Sequence, residues 1–229
     1  MKFRQAILSN LKERVRGKNY RLNSGKPFMR HRELIIFEEL ISNLQPNKIL
    51  EWGAGYSSLY FPKFLNGDFQ WMSIENNSDW VKHLNEKGLD KRVEIVFVAE
   101  NEKAHYGYYK EGINDGSYGD FKDYIEYPLD KGPFDYIVID GRARSECLKK
   151  SFDIIADDGV VVIHDANRKD YHEHFDLFSH RFLLTDTRPR SGGLAVLSKS
   201  RNIKEVIDTE RHEKNWRYIR NGFANFLRV

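Results

Sequence analysis

From about Glu33, apolar residues recur at helical spacing as Leu34-Ile35-Ile36-Phe37, Leu40-Ile41 and Leu44. That spacing predicts a helix with one buried face. It stops at Gln45-Pro46-Asn47, where proline lacks an N–H and its ring clashes with the preceding turn. A short apolar run follows, Lys48-Ile-Leu50, ending in Glu51. Four further runs share the design: Trp71–Ile74 ending in Glu75, Val93–Val98 ending in Ala99-Glu100, Phe134–Ile139 ending in Asp140, and Val160–Ile163 ending in His164-Asp165. The stretches Tyr56–Phe64, Ser78–Lys87 and Ser145–Ile155 space their apolar residues for one buried helix face each.

Short apolar strands alternating with amphipathic helices predict a parallel sheet covered on both faces. Two last runs, Arg181–Thr185 and Gly193–Leu197, are joined by the turn-rich Thr187-Arg-Pro-Arg-Ser-Gly-Gly193. They are expected to pair antiparallel and close the sheet. The expectation is an α/β, Rossmann-like doubly wound sheet of seven strands, mostly parallel, with a C-terminal antiparallel pair.

Two segments stand outside this rhythm. Residues 101–131 form a polar, Tyr- and Gly-rich excursion, which at that length reads as a lid-like insertion. Its second half, Phe121-Lys-Asp-Tyr-Ile-Glu-Tyr, has helical character. The charged tail 201–229 intersperses Trp216, Tyr218, Ile219, Phe223 and Phe226, and is expected to pack back as a helical extension. With 229 residues, 40% hydrophobic, and no Pro/Gly/Ser-rich linker mid-chain, the reading is a single domain over 1–229.

Charge adds one asymmetry. The net charge is +3, but residues 1–32 carry ten Lys/Arg against Glu13 alone, leaving the remainder net acidic. A basic N-terminal arm on an acidic body suits a polyanionic partner, or is simply a solvated helix face. No stretch reaches the roughly 20 apolar residues of a membrane span, and the broken apolar start offers no signal peptide. The single Cys147 excludes an internal disulfide and suits a reducing compartment, so the expected localisation is cytoplasmic.

Ligands of open parallel sheets bind beyond the carboxyl ends of the strands. There the chain places Glu51, Glu75, Glu100, Asp140 and Asp165. In Glu51-Trp-Gly53-Ala-Gly55, the glycines permit a tight turn and a close approach of backbone to ligand. Ser57 and Ser58 open the next helix, where hydroxyls and N–H groups are expected to face the ligand. Glu75 follows Glu51 by 24 residues, about where an acid takes ribose hydroxyls. A dinucleotide loop fits less well, because Ser58 stands in place of a third glycine. In addition, Glu51 precedes the turn and would repel a pyrophosphate, whereas a cationic sulfonium ligand suits it.

These residues resemble the first two motifs of class I S-adenosylmethionine-dependent methyltransferases. Asp140 and the run Asp158-Gly-Val-Val-Val-Ile-His164-Asp165 resemble the motifs at the fourth and fifth strands, and the likeness spans about 33–200. It implies S-adenosylmethionine as cofactor, with Glu51, Gly53 and Gly55 around its methionine moiety, Glu75 on the ribose and Glu100 near the adenine.

A hydroxyl acceptor must lose its proton to a base or a metal. His164 is a candidate base, or else a histidine hydrogen-bonded into the sheet edge; Asp165 and Asp140 complete the catalytic set. Asp140, Asp165 and Asn167 are oxygen donors suited to Mg²⁺, similar to metal-dependent O-methyltransferases, although Ala166 interrupts that pattern. Arg142 and Arg144 can present forked donors to an anionic acceptor, or pair with surface acids. Asp140-Gly-Arg-Ala-Arg144 resembles methyltransferases of sugars and polysaccharides, including glucuronoxylan types. Tyr118, with Tyr106, Tyr108 and Tyr109, could stack on a substrate ring or hold the insertion closed. His172-Glu-His174 is a poor zinc pair, because i and i+2 diverge on a helix. The expected partner is thus a small-molecule or glycan substrate, an oligomer being compatible. The rival is a nucleic-acid methyltransferase recruited by the basic arm.

Overall fold

A computed structural model describes residues 25–101, 115–185 and 192–226, with side chains to 217. Most of the basic arm, Tyr106, Tyr108 and Tyr109 of the insertion, the turn at 187–191, and the side chains of Tyr218, Ile219, Phe223 and Phe226 lie outside the described residues.

Seven strands form one sheet: β1 (Lys48–Trp52), β2 (Gln70–Glu75), β3 (Val93–Phe97), β4 (Phe134–Ile139), β5 (Ile155–His164), β6 (His180–Leu184) and β7 (Leu194–Ser198). Their order is β3-β2-β1-β4-β5-β7-β6. β1 to β5 pair in parallel, while β7 runs antiparallel to both β5 and β6. The order in which strands are added therefore reverses between β1 and β4, the switch point at which an open sheet leaves a crevice for a ligand. The strand series and the antiparallel closure match the sequence expectation. Two details differ: β5 begins five residues earlier than its apolar run, and 3-10 turns occupy Lys169–Leu177 where no element was expected.

Alternate residues of each strand serve opposite faces. Ile49, Tyr136 and Val162 pack beneath α1 (His31–Leu44), whereas Leu50, Ile137 and Val161 pack under the opposite layer. That is why the strands read as continuous apolar runs. On the first face, Phe37, Leu40 and Ile41 are fully buried, each contributing about 1.5–3 kcal/mol of transfer energy. The second face is covered by α4 (Lys122–Glu126) and α5 (Arg144–Ile154) through Tyr124, Ile125, Cys147 and Leu148. Between β1 and β3 the chain forms α2 (Tyr56–Tyr60), which tightens into a 3-10 turn at Phe61–Phe64, and α3 (Ser78–Glu86).

The end of α1 shows how Pro46 is accommodated. Gln45 takes a left-handed conformation (φ 43°) and its N–H bonds to Ile41 O at 3.0 Å. Its side chain then reaches Phe64 O and Asn66 N, tying the helix to the turn after α2. Asp135 accepts from the N–H groups of Asn47 and Lys48, each at 2.9 Å, which locks the entry of β1 beside β4. The last helix, α6 (Thr209–Phe226), docks on α1: the Arg32 guanidinium lies 3.6 Å from the Trp216 ring centroid, and Glu39 accepts from His212 Nε2 at 2.7 Å.

At the switch point the backbones after β1 and β4 touch. Gly53 has φ 98°, and a Cβ there would fall 2.4 Å from Gly141 Cα. A Cβ on Gly141 would in turn meet Tyr124 Oη at 2.1 Å. Both conformation and space therefore demand glycine. Gly53→Ala is expected to cost roughly 2–4 kcal/mol of stability. Urea unfolding measures it, and a loss below about 1 kcal/mol would contradict this packing.

Candidate active site

The carboxyl ends of β1 and β2 form one half of the site. Glu51 is fully buried and its carboxylate accepts four hydrogen bonds. Ser57 donates to Oε1; Ser58 and Ser73, each at 2.6 Å, and Trp71 Nε1 at 3.1 Å donate to Oε2. Burial raises its pKa, and the four donors oppose that rise. This corrects two expectations. The Glu51 carboxylate faces inward rather than toward a ligand, and the hydroxyls of Ser57 and Ser58 are committed to it. The physical reason is that a desolvated carboxylate draws every nearby donor to itself. Its role is to fix the loop that carries Gly53 and Gly55.

Gly55 differs from Gly53. Its φ is −159°, ordinary extended backbone, and a Cβ would meet only Ser57 Oγ, at 3.4 Å. Its N–H donates to Ser58 Oγ at 3.3 Å and its carbonyl accepts from Ser58 N at 3.1 Å. Trp80, at the start of α3, steadies this loop from above by donating from Nε1 to Ala54 O at 2.9 Å. Its ring stacks on His83 with centroids 5.0 Å apart.

Glu75 ends β2. Burial lifts its pKa from the usual carboxyl range to about 7, against the opposing pull of the Asn77 and Asn76 N–H groups and the Arg142 charge. Arg142 is half-buried on the turn after β4, close enough for its charge to be felt at Glu75. Glu100 is half-buried on the loop beyond β3. Tyr118 has an exposed ring and donates its hydroxyl to Glu126.

The ends of β4 and β5 form the other half, a packed network of charge. His164 bridges two carboxylates, with Nδ1 3.0 Å from Asp140 Oδ1 and Nε2 3.3 Å from Glu33 Oε2. A carboxylate only accepts, so both bonds together place a proton on each ring nitrogen. Burial alone would lower the histidine pKa, but Asp140 and Glu33 outweigh it and raise the pKa well above the ordinary value. The setting favours the protonated ring, and a ring engaged at both nitrogens offers no lone pair for the expected role as a base.

Arg144 is the second correction. Its guanidinium donates to the carbonyls of Gly141, Asp140 and His164 at 3.0–3.1 Å and sits 3.1 Å from both Asp140 Oδ1 and Asp165 Oδ2. Such a staple between strand ends has little left for a substrate. Asp165 is held at φ 60°. Burial would raise its pKa, yet His164, Arg144 and the Gly192 N–H together hold it below the usual carboxylate value. Arg168 and Tyr171 extend the network to Asp115, with Tyr171 Oη 2.6 Å from its Oδ2.

The Mg²⁺ expectation at Asp140, Asp165 and Asn167 does not fit this donor set. Both carboxylates face the Arg144 guanidinium, which would repel a divalent ion, and buried Asn167 packs against Gly192 and Gly193. Among the described residues no cluster of three or more His, Cys, Asp or Glu could hold a metal. His172 bonds to Ala166 O at 2.8 Å and His174 pairs with Glu173.

Sequence reasoning missed Glu33, Asp115, Arg168 and Trp80. Glu33 reaches His164 across 131 positions, a pairing no local pattern announces. Removing Arg144 would strand three buried or half-buried acids, so Arg144→Ala is expected to cost about 3–5 kcal/mol at pH 7. Arg144→Lys should recover only part of it, since an ammonium cannot reproduce the fork. Equilibrium unfolding of both variants is the check; a full rescue by lysine would refute the staple.

No family model and no curated protein matches the chain. Solved structures do. It is similar to a methyltransferase-like protein from Silicibacter pomeroyi, with TM-score 0.54, 17% identity, and coverage of 82% of this chain and 96% of that one. A protein assigned as a caffeoyl-CoA O-methyltransferase from Staphylococcus aureus matches with TM-score 0.53, 16% identity, and coverage of 83% and 96%. The O-methyltransferase TomG from Streptomyces achromogenes, solved with S-adenosylmethionine, matches with TM-score 0.53, 17% identity, and coverage of 86% and 89%. With its seven-stranded 3-2-1-4-5-7-6 sheet, the chain has the fold of class I S-adenosylmethionine-dependent methyltransferases.

Proposed function

We propose that the chain is a class I S-adenosylmethionine-dependent methyltransferase acting on a hydroxyl of a small molecule, with a sugar or glycan as the favoured acceptor class. The observation that carries the cofactor is Glu75: a half-buried carboxyl at the end of β2, where an acid can take ribose hydroxyls, its pKa lifted to about 7 by burial. Glu75 would accept from the ribose hydroxyls. Gly55, with the loop fixed by Glu51, Ser57 and Ser58, would border the methionine moiety, and Glu100 would lie toward the adenine.

The cofactor supplies a methyl group on a positively charged sulfur. Bound there, it would offer that methyl to the acceptor oxygen and leave as the neutral thioether, while the hydroxyl proton would need a base. Among the cluster's acids, Asp140 suits that task. Its contacts with His164 and Arg144 both fall on Oδ1, and its side chain is the most exposed of the group at 23%. His164 and Arg144 orient it, and Asp165 helps hold both cations. Alignment of acceptor, methyl and sulfur supplies most of the rate, roughly 7–11 kcal/mol. Arg142, half-buried after β4, and Tyr118 would contact the acceptor. The buried lone Cys147 suits a reducing compartment such as the cytoplasm. Among the described residues no helix is long and apolar enough to cross a membrane. No observation favours the nucleic-acid reading.

Two measurements test this. A neutral Glu75 carboxyl must lose its proton before it can accept from two hydroxyls, and its pKa lies at about 7. Affinity for S-adenosylmethionine should therefore rise from pH 6 to pH 8, by up to about tenfold, and then level off. Glu75→Gln should weaken binding and flatten the profile; calorimetry showing no binding at any pH would sink the proposal. In a methyl-transfer screen over sugars and phenols, EDTA should leave the rate unchanged, because Arg144 fills the place a cation would need.

A further inference from the structure

We infer that Glu33 is a positioning residue for methyl transfer: from the first turn of α1 it holds His164 as a cation whose other ring nitrogen fixes Asp140. The inference rests on the proposed function and adds to it a residue from outside the strand-end motifs.

Glu33 is 1% exposed, and Oε2 accepts from both Arg30 N at 2.8 Å and His164 Nε2 at 3.3 Å. Its Oε1 is buried with no hydrogen-bond partner. A buried carboxylate with one oxygen orphaned is costly, and an apolar side chain would pack there at less expense. The compensation is the imidazolium beside it. The Arg30 bond alone does not explain a charge at this position, because a glutamine at the third helical position would cap the helix equally well.

Four charged groups face or flank His164. Glu33 comes from α1, Asp140 from the end of β4, Arg144 from α5 (its Nη1 bonds the His164 carbonyl at 3.1 Å), and Asp165 follows in sequence, with Oδ1 3.9 Å from Nδ1. Arg144 already neutralises Asp140 and Asp165 in part. Glu33 meets no such cation besides His164 among the ion pairs of the described residues, so it is the carboxylate most dependent on the imidazolium. With both ring nitrogens engaged, the ring cannot flip or rotate, and Asp140 Oδ1 is held in place. Oδ2 is then left for the acceptor.

Glu33→Gln tests this, since it keeps the cap and the side-chain shape and removes only the charge. Long-range proton–nitrogen NMR of the full chain should show wild-type His164 protonated on both nitrogens at pH 7. In the variant its deprotonation should move to lower pH. With an acceptor found in the screen, kcat should fall by roughly tenfold or more while the KM for S-adenosylmethionine stays unchanged. Glu33→Asp, charged but shorter, should recover the protonated signal in part. A neutral His164 in the wild type would overturn the inference without any variant. So would an unchanged titration, or an unchanged kcat, in a folded Glu33→Gln protein. If the NMR result holds but S-adenosylmethionine does not bind, the relay stands and the methyltransferase reading falls.

Discussion

A parallel sheet whose strands end in carboxylates concentrates negative charge along one edge, and this structure depends on how that charge is neutralised. Glu51, Glu75, Asp140 and Asp165 share the edge, and each is compensated differently. Glu51 is buried among hydroxyl and indole donors, and Glu75 stays partly protonated near neutrality because burial lifts its pKa to about 7. Asp140 and Asp165 are paired with cations. The differences follow from place. Beneath the loop there is room only for short neutral donors, whereas beyond β4 the start of α5 brings Arg144 over the strand ends.

This division separates two kinds of work. The β1–β2 half surrounds its buried Glu51 carboxylate with neutral donors and offers Glu75 as a second carboxyl at the strand end, which suits a ligand rich in hydroxyls with its own positive charge. The β4–β5 half is rigid and charged on both signs. In such a network each added contact restricts the others, and removing one member exposes its partners as unpaired buried charges. The network also ties Asp115, within the 101–131 segment, to β4 and β5 through Arg144, Arg168 and Tyr171.

The fold was largely legible in the sequence, because the central strands β1, β4 and β5 are buried on both faces over most of their length and so appear as apolar runs. The closing pair was legible for the same reason, Leu194 to Leu197 being almost wholly buried. The positions of the site residues were legible too, since strand ends fix them. Their orientations were not. Whether Ser57 turns toward a ligand or toward Glu51 depends on the energy of a buried carboxylate, which no spacing reveals. Arg144 looked like an anion receptor because its partners Asp140 and Asp165 are 25 positions apart from one another in the chain and meet only through the pairing of β4 with β5.

His164 shows the point most sharply. Read as an isolated residue after a strand, a histidine titrates near neutrality and is the natural base. Set between Asp140 and Glu33 it has both ring nitrogens engaged, and the two acids favour its protonated form. The group that changes its role, Glu33, lies on a helix that precedes the sheet and whose apolar pattern explains only its packing. Its charge on an otherwise buried turn was the one local sign of a partner elsewhere. A lone acid in the first turn of a buried helix caps that helix, and only the fold shows what else it holds.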